Sequence, residues 1–171
     1  MKKLLIVIDM LKDFCTEGGA LATDANGDIY AKQIIPFIVE KIKKFDNIVF
    51  VCDNHSPDDI EFTRFPVHCV EGTKGAELIK EIMPYRDKGK IIKKQRYSSF
   101  YNTNLEDIID NYDEYHIVGV CTNICVLYTV EELCNRDKKV LVYEKGVSSF
   151  DPQAHEFALR QMKEVLGASI I

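Results

Sequence analysis

Asp9, Lys94 and Cys125 are side chains whose types, brought together, could run acyl transfer, and each stands at or just beyond the end of an apolar run. A carboxylate can take the thiol proton, and an ammonium can balance both the thiolate and the carboxylate. The sulfur can then attack a carbonyl to form a thioester. Cys125 lies in His116–Tyr128 (HIVGVCTNICVLY), where a β-branched run passes through Gly119 into a Thr-Asn pair and a helix-like segment. If the helix begins near Thr122, Cys125 occupies its first turn, where free N–H groups and the macrodipole favour an anion and lower a thiol pKa. Cysteine is also among the most buried residue types, so an inert core thiol is the competing reading. The backbone N–H groups of Cys121 and Cys125 are placed to receive an oxyanion, and donors of this kind contribute about 3 kcal/mol. No histidine is placed among the proton carriers of this strand-end set, which favours Asp-Lys-Cys over a Cys-His dyad. His116 and His155 are expected to be structural or exposed.

A second constellation, Asp53, His55, Glu61 and His68, falls in or beside the irregular stretch 53–75. Its oxygen and nitrogen donors suit one divalent transition metal ion (zinc, with iron or manganese as alternatives) and leave coordination positions open. The competing reading is a polar surface loop. A connection of this length inside a compact domain is more often functional than idle. Phe14, Phe65 and Tyr97 stand near these clusters in sequence and could wall a flat pocket, or could be ordinary core.

The elements that must position these groups follow from hydrophobic patterning. KLLIVID (3–9) is a continuous apolar run of strand length, as in a parallel strand buried on both faces, and IVFVC (48–52), KIIK (90–93), HIVGV (116–120) and KVLVY (139–143) read as four further strands. Ala168–Ile171 is a candidate sixth strand. Helical spacing predicts helices over 29–45, with a start or kink at Pro36, and over 76–83, 105–112, 126–134 and 152–166, the last carrying Phe157, Met162 and Leu166 near one face. Strands alternating with helices predict a single α/β domain over 1–171, a three-layer α/β/α sandwich around a central parallel sheet. In such sheets ligands bind beyond the carboxyl ends of the strands, which is where Asp9, Asp53, His55, Lys94 and Cys125 fall.

Composition narrows the partners. A formal net charge of −5 offers no basic face for nucleic acid or an anionic membrane. No apolar run is long enough to span a bilayer. MKKLLIVIDM imitates the start of a signal peptide, but Asp9 interrupts it, and it reads as a first strand. The six cysteines are expected to be reduced thiols of a cytoplasmic protein. Cys121 and Cys125 lack the second Cys/His pair that a structural zinc site needs. The expected partner is a small molecule; a homo-oligomer is left open. A dinucleotide-binding role is excluded because Asp9-Met10-Leu11 stands where a Gly-rich loop would follow the first strand.

In register across nearly the whole chain, IDMLKDF, DNH with FPVHCVEGTKGAEL, KKQRYSSF and GVCTNICV resemble the motifs of the isochorismatase-like cysteine hydrolases, and within them those of nicotinamidases. The resemblance implies Asp9 as general base and acid, Lys94 as its ionic partner and Cys125 as nucleophile. Lys94 is chosen over Lys93 because the family lysine stands four residues before the first Ser of the YS(A/S)F element, here Ser98. It also implies a cis bond at Val120–Cys121, metal ligands at Asp53, His55 and His68 with Glu61 as a fourth ligand found in some members, and nicotinamide as substrate, its pyridine nitrogen on the metal. Two departures bear on substrate choice. Leu11 stands where many members have Gln, and Asn54 replaces an aromatic after Asp53.

Overall fold

Where β-branched and aliphatic residues run uninterrupted, as over 4–8 and 48–52, the chain has no polar face to show water, and these segments take central positions in the sheet. The computed structural model describes residues 1–171. Six strands, β1 (Lys3–Ile8), β2 (Ile48–Asp53), β3 (Lys90–Lys94), β4 (Glu114–Val120), β5 (Val140–Ser148) and β6 (Ser169–Ile170), form one sheet in the order β3-β2-β1-β4-β5-β6. Every pairing is parallel. The expected α/β/α layering is present, because alternate residues of each strand enter opposite cores. Leu4, Ile6 and Ile8 pack with Ile117, Val130, Leu133 and Met162 on one face. Leu5 and Val7 pack with Phe50, Ile38, Ile42 and Ile82 on the other.

The helices are α1 (Lys12–Cys15), α2 (Ile35–Lys44), α3 (Glu106–Ile109), α4 (Leu127–Cys134) and α5 (Pro152–Glu164). Three differ from the periodicity. The helix expected over 29–45 begins only at Ile35, with Pro36 in its first turn, where a missing N–H costs nothing. The helix expected over 105–112 is cut to one turn. No helix forms over 76–83. That segment gives its backbone bonds to the stretch after β1 instead, Lys12 N–H to Glu77 O at 3.0 Å and Ile79 N–H to Met10 O at 3.1 Å. Its apolar residues Leu78, Ile79 and Ile82 are buried, and Pro84 opens a 3-10 turn at Met83–Lys88. Along α5 the buried residues are Ala158, Leu159 and Met162, whereas Phe157 is 49% exposed, so the apolar stripe is rotated away from it.

Register aligns the strand ends. Ile8 pairs with both Val51 and Gly119, and Asp53 pairs with Lys94. Asp9, Asp53, Lys94 and the turn after β4 are thereby brought to one edge. At the junction of β4 with that turn, Gly119 has φ +124°, and a Cβ there would meet Ile8 O at 2.0 Å. Both the dihedral and the close backbone approach require glycine. Gly167 also has positive φ (+77°), but it faces open space. Gly119→Ala is therefore expected to lose about 3 kcal/mol or more in urea unfolding, strain and overpacking acting together, whereas Gly167→Ala should lose only about 1 kcal/mol.

Candidate active site

Lys94 ends β3 with its side chain wholly buried. Its ammonium contacts three groups: Asp9 Oδ2 at 2.8 Å, Cys125 Sγ at 3.4 Å, and Asp53 Oδ1 by a short ion pair. Burial opposes the charge, but Asp53 and Asp9 outweigh it and raise the lysine pKa well above its ordinary value. Asp9 stands one residue past β1 in the left-handed region (φ +52°), a conformation an L-residue adopts at some cost. Its Oδ1 accepts the Asp53 N–H at 2.8 Å. Its Oδ2, beside the ammonium, has no aligned hydrogen bond. Burial, followed by the charge of Asp53, lifts the Asp9 pKa to about 6, against the opposing pull of Lys94. A carboxyl group poised there can both take and return a proton near neutral pH.

Cys125 is 6% exposed, and its turn departs from the expected geometry. Thr122–Val126 winds as a π-type turn, and the α-helix starts only at Leu127. The expectation of a lowered thiol pKa is corrected as well. Burial pushes Cys125 well above the usual thiol value, with Lys94 pulling down and Asp9 and Asp53 pushing up. Burial therefore favours the protonated thiol at this turn. The Val120–Cys121 bond is cis. The sulfur of Cys121 lies 3.4 Å from Tyr30 OH. From α5, His155 Nδ1 lies 2.8 Å from Thr122 Oγ1. Ser149 Oγ donates to Asn123 Oδ1 at 2.7 Å. The turn is thus braced on both sides. His116 is buried at the opposite end of the sheet between Glu114 and Tyr143, a structural role as expected.

Asp53, His55 and His68, all buried, each offer one ligand atom within 4.8 Å of the other two. His55 Nε2 and His68 Nε2 lie 3.6 and 3.9 Å from Asp53 Oδ2, and Glu61 Oε1 is 3.9 Å from His68 Nε2. His55 Nε2 and Glu61 Oε2 are buried without a hydrogen-bond partner. Buried polar atoms are seldom left so. A divalent cation would satisfy them, and the N/O donor set suits one. The residues present therefore fit a metal. Two residues beyond the sequence-derived set enter here. Asp59 Oδ2 lies 3.0 Å from His55 Nδ1, and Arg96 holds Asp59. Burial alone would raise Asp59, but the Glu61 N–H, His55 and Arg96 hold it at about 2. The i,i+4 spacing from His55 was the available signal for Asp59; nothing in the sequence pointed to Arg96.

Cys125 of the trio and Asp53, Glu61 and His68 of the ligand set line one narrow, largely apolar cavity. Phe14, Phe65 and Tyr97 all line it, together with Cys121 and Cys125. Leu21, Ile124 and Phe150 complete its wall. These three come from a loop, the π-type turn and the stretch before α5, and no local pattern marks them. Neither departure from the family motifs faces this cavity. Leu11 is fully buried and bridges to Leu78, and Asn54 lines a separate polar recess with Gln95 and Arg96.

Lys94→Met should show what the buried cation holds together. Two carboxylates would remain buried with no lysine between them, and removing one partner of a buried ion pair typically costs about 3–5 kcal/mol. Urea unfolding near neutral pH measures the loss; a change below about 1 kcal/mol would mean that Asp9 and Asp53 do not depend on Lys94.

Comparison with known proteins agrees with this geometry. A family model described as the isochorismatase domain matches residues 3–170. The chain is similar to an isochorismatase family protein, PncA, of Bacillus subtilis, with 33% identity over 181 residues spanning 99% of each chain. A solved structure of nicotinamidase PncA from Bacillus subtilis superposes with a TM-score of 0.90 at 37% identity, covering 99% of both chains. The pyrazinamidase of Pyrococcus horikoshii in complex with zinc has a TM-score of 0.85 at 31% identity, covering 100% of this chain and 99% of the other. N-carbamoylsarcosine amidase from Thermoplasma acidophilum also reaches 0.85, at 30% identity over 99% of this chain and 95% of that one. With a family match over residues 3–170 and a relative 33% identical over 99% of both chains, the chain belongs to the isochorismatase family of hydrolases.

Proposed function

We propose that this hydrolase is a nicotinamidase, cleaving nicotinamide to nicotinate and ammonia through a thioester on Cys125. The observation that carries the reading is the sharing of one apolar cavity by Cys125 and by two members, Asp53 and His68, of a three-residue metal-ligand set. A flat heteroaromatic amide needs both: a wall of aromatic side chains with a point of attachment for the ring, and a nucleophile for the carboxamide.

Asp9 Oδ2 takes the thiol proton as Sγ attacks the amide carbon. The N–H groups of Cys121 and Cys125 receive the oxyanion. Protonated Asp9 then gives its proton to the departing nitrogen, ammonia leaves, and the acyl group remains on sulfur. In the second half Asp9 takes a proton from water as the hydroxyl attacks the thioester. The carbon–sulfur bond breaks, nicotinate leaves, and the thiol recovers its proton. Lys94 stays charged throughout, offsetting whichever of Asp9 and Cys125 carries the negative charge. Asp53, His55 and His68, with Glu61 beside them, would hold one divalent transition metal ion: zinc, iron or manganese. When bound, that ion supplies a Lewis-acidic position for the pyridine nitrogen. Six free thiols also fit a reducing, cytoplasmic setting.

The neighbouring reading, a carbamoyl or ureido hydrolase using the same trio, has its support in the likeness to N-carbamoylsarcosine amidase. The metal-ligand set favours the nicotinamidase, because a substrate without a ring nitrogen has less use for it.

Ammonia release from nicotinamide should be measurable and should fall about 10³-fold or more in Cys125→Ala. Cys121→Ala, which removes a sulfur facing Tyr30, should stay within about threefold of the parent, a difference of under 1 kcal/mol. An undiminished rate in Cys125→Ala rules out the covalent route. Chelation should abolish turnover, and added zinc, iron or manganese should restore it. Chelator-insensitive hydrolysis of ureido compounds, with none of nicotinamide, would establish the neighbouring reading instead.

A further inference from the structure

Asp59 is a buried carboxylate beside the ligand set that belongs neither to it nor to the trio. Asp59 is 7% exposed and each of its oxygens is engaged. Oδ2 lies 3.0 Å from His55 Nδ1, Oδ1 accepts the Glu61 N–H at 2.9 Å, and Arg96 donates to both at 3.0 Å. Arg96 stands two residues beyond Lys94, so the end of β3 supplies both the buried ammonium and the group that anchors Asp59.

The two histidines of the ligand set are oriented by different means. His68 Nδ1 lies 2.7 Å from the Pro66 carbonyl, a neutral acceptor in its own loop. His55 Nδ1 faces a carboxylate, and its Nε2 is buried without a partner, 3.6 Å from Asp53 Oδ2. An imidazole whose Nδ1–H is held by an acceptor presents the Nε2 lone pair, and an anionic acceptor makes that nitrogen the better donor to a metal. Asp59 also caps the 3-10 turn Ile60–Thr63 that carries Glu61. A single carboxylate therefore touches the supports of two of the four ligand candidates.

We propose that Asp59, clamped by Arg96, is a positioning residue for metal binding. It keeps Nδ1 of His55 protonated and Nε2 turned toward Asp53 and His68, and it holds the turn that carries Glu61. The proposal rests on the reading of Asp53, His55 and His68 as metal ligands. A mere capping role would need only a hydrogen-bond acceptor at residue 59 and would leave His55 unaffected.

The test uses the full chain, stripped of metal and titrated with zinc against a competing chelator. Asp59→Asn keeps an acceptor for the Glu61 N–H but loses the charge, so it separates the two roles. The zinc dissociation constant is expected to rise about tenfold in Asp59→Asn and up to about 100-fold in Asp59→Ala, the usual range for losing such a support. In a His55→Ala background, Asp59→Asn should change zinc affinity less than about twofold, because a residue acting through His55 has nothing left to act on. In the zinc-loaded protein the His55 Nδ1 proton should give a downfield, slowly exchanging resonance, and Asp59→Asn should shift it upfield or lose it to exchange. Arg96→Gln, at a partly exposed position, should shift both readouts in the same direction. Parental zinc affinity with an unmoved Nδ1 proton in Asp59→Asn overturns the proposal while leaving the metal reading intact. Failure of the parent chain to bind zinc, iron or manganese overturns both.

Discussion

An ammonium group with no access to water sits between two buried carboxylates and a thiol, and the site depends on that arrangement. Each charge would be costly alone in this environment. Together they are mutually compensating, and the compensation is unequal. Lys94 pairs most closely with Asp53 and meets Asp9 at 2.8 Å, leaving Asp9 Oδ2 without an aligned hydrogen bond and Asp9 itself with a pKa near 6. Burial raises Cys125 as well. The two groups therefore rest in a condition where the thiol is protonated and the carboxylate is ready to accept, which suits proton transfer coupled to attack rather than a standing thiolate.

Asp53 links this centre to the second one. Its Oδ1 faces Lys94, and its Oδ2 faces both histidines. Its own backbone N–H binds Asp9. One carboxylate thus shares its charge between the Lys94 ammonium and the candidate metal position. That sharing is possible because β2 and β3 are in register at Asp53 and Lys94, and because Ile8 is paired on one side with β2 and on the other with β4. A shift of one residue in either pairing would turn these side chains to the other face of the sheet.

Much of the fold could be read along the chain. The buried strands β1, β2 and β4 have no alternative environment for their apolar runs, and parallel pairing places the carboxyl ends of the strands together. The helices were less legible. The segment 76–83 has helical spacing, yet it gives its backbone bonds to Met10 and Lys12, since burying Leu78, Ile79 and Ile82 beside the first strand outweighs a short helix of its own. Phe157 has the right spacing for the core face of α5 and is half exposed, because the docking angle of a helix, not its sequence, decides which edge of an apolar stripe is covered.

The chemistry-bearing residues Asp9, Lys94, Cys125, Asp53, His55, Glu61 and His68 were identifiable from residue type and from position relative to strand ends, and family motifs separated Lys94 from Lys93. These are properties of local sequence, because strand ends in a parallel sheet are where side chains can meet a ligand. What the sequence could not determine was the environment. The protonation bias of Cys125 depends on burial and on three charges from three other strand ends. The cavity wall at Leu21, Ile124 and Phe150, and the Arg96–Asp59–His55 connection, join segments that approach only when the chain is folded. Such contacts span up to 37 residues for Arg96 and Asp59 alone, and no periodicity encodes a partner at that distance; only tertiary packing brings them within hydrogen-bond reach.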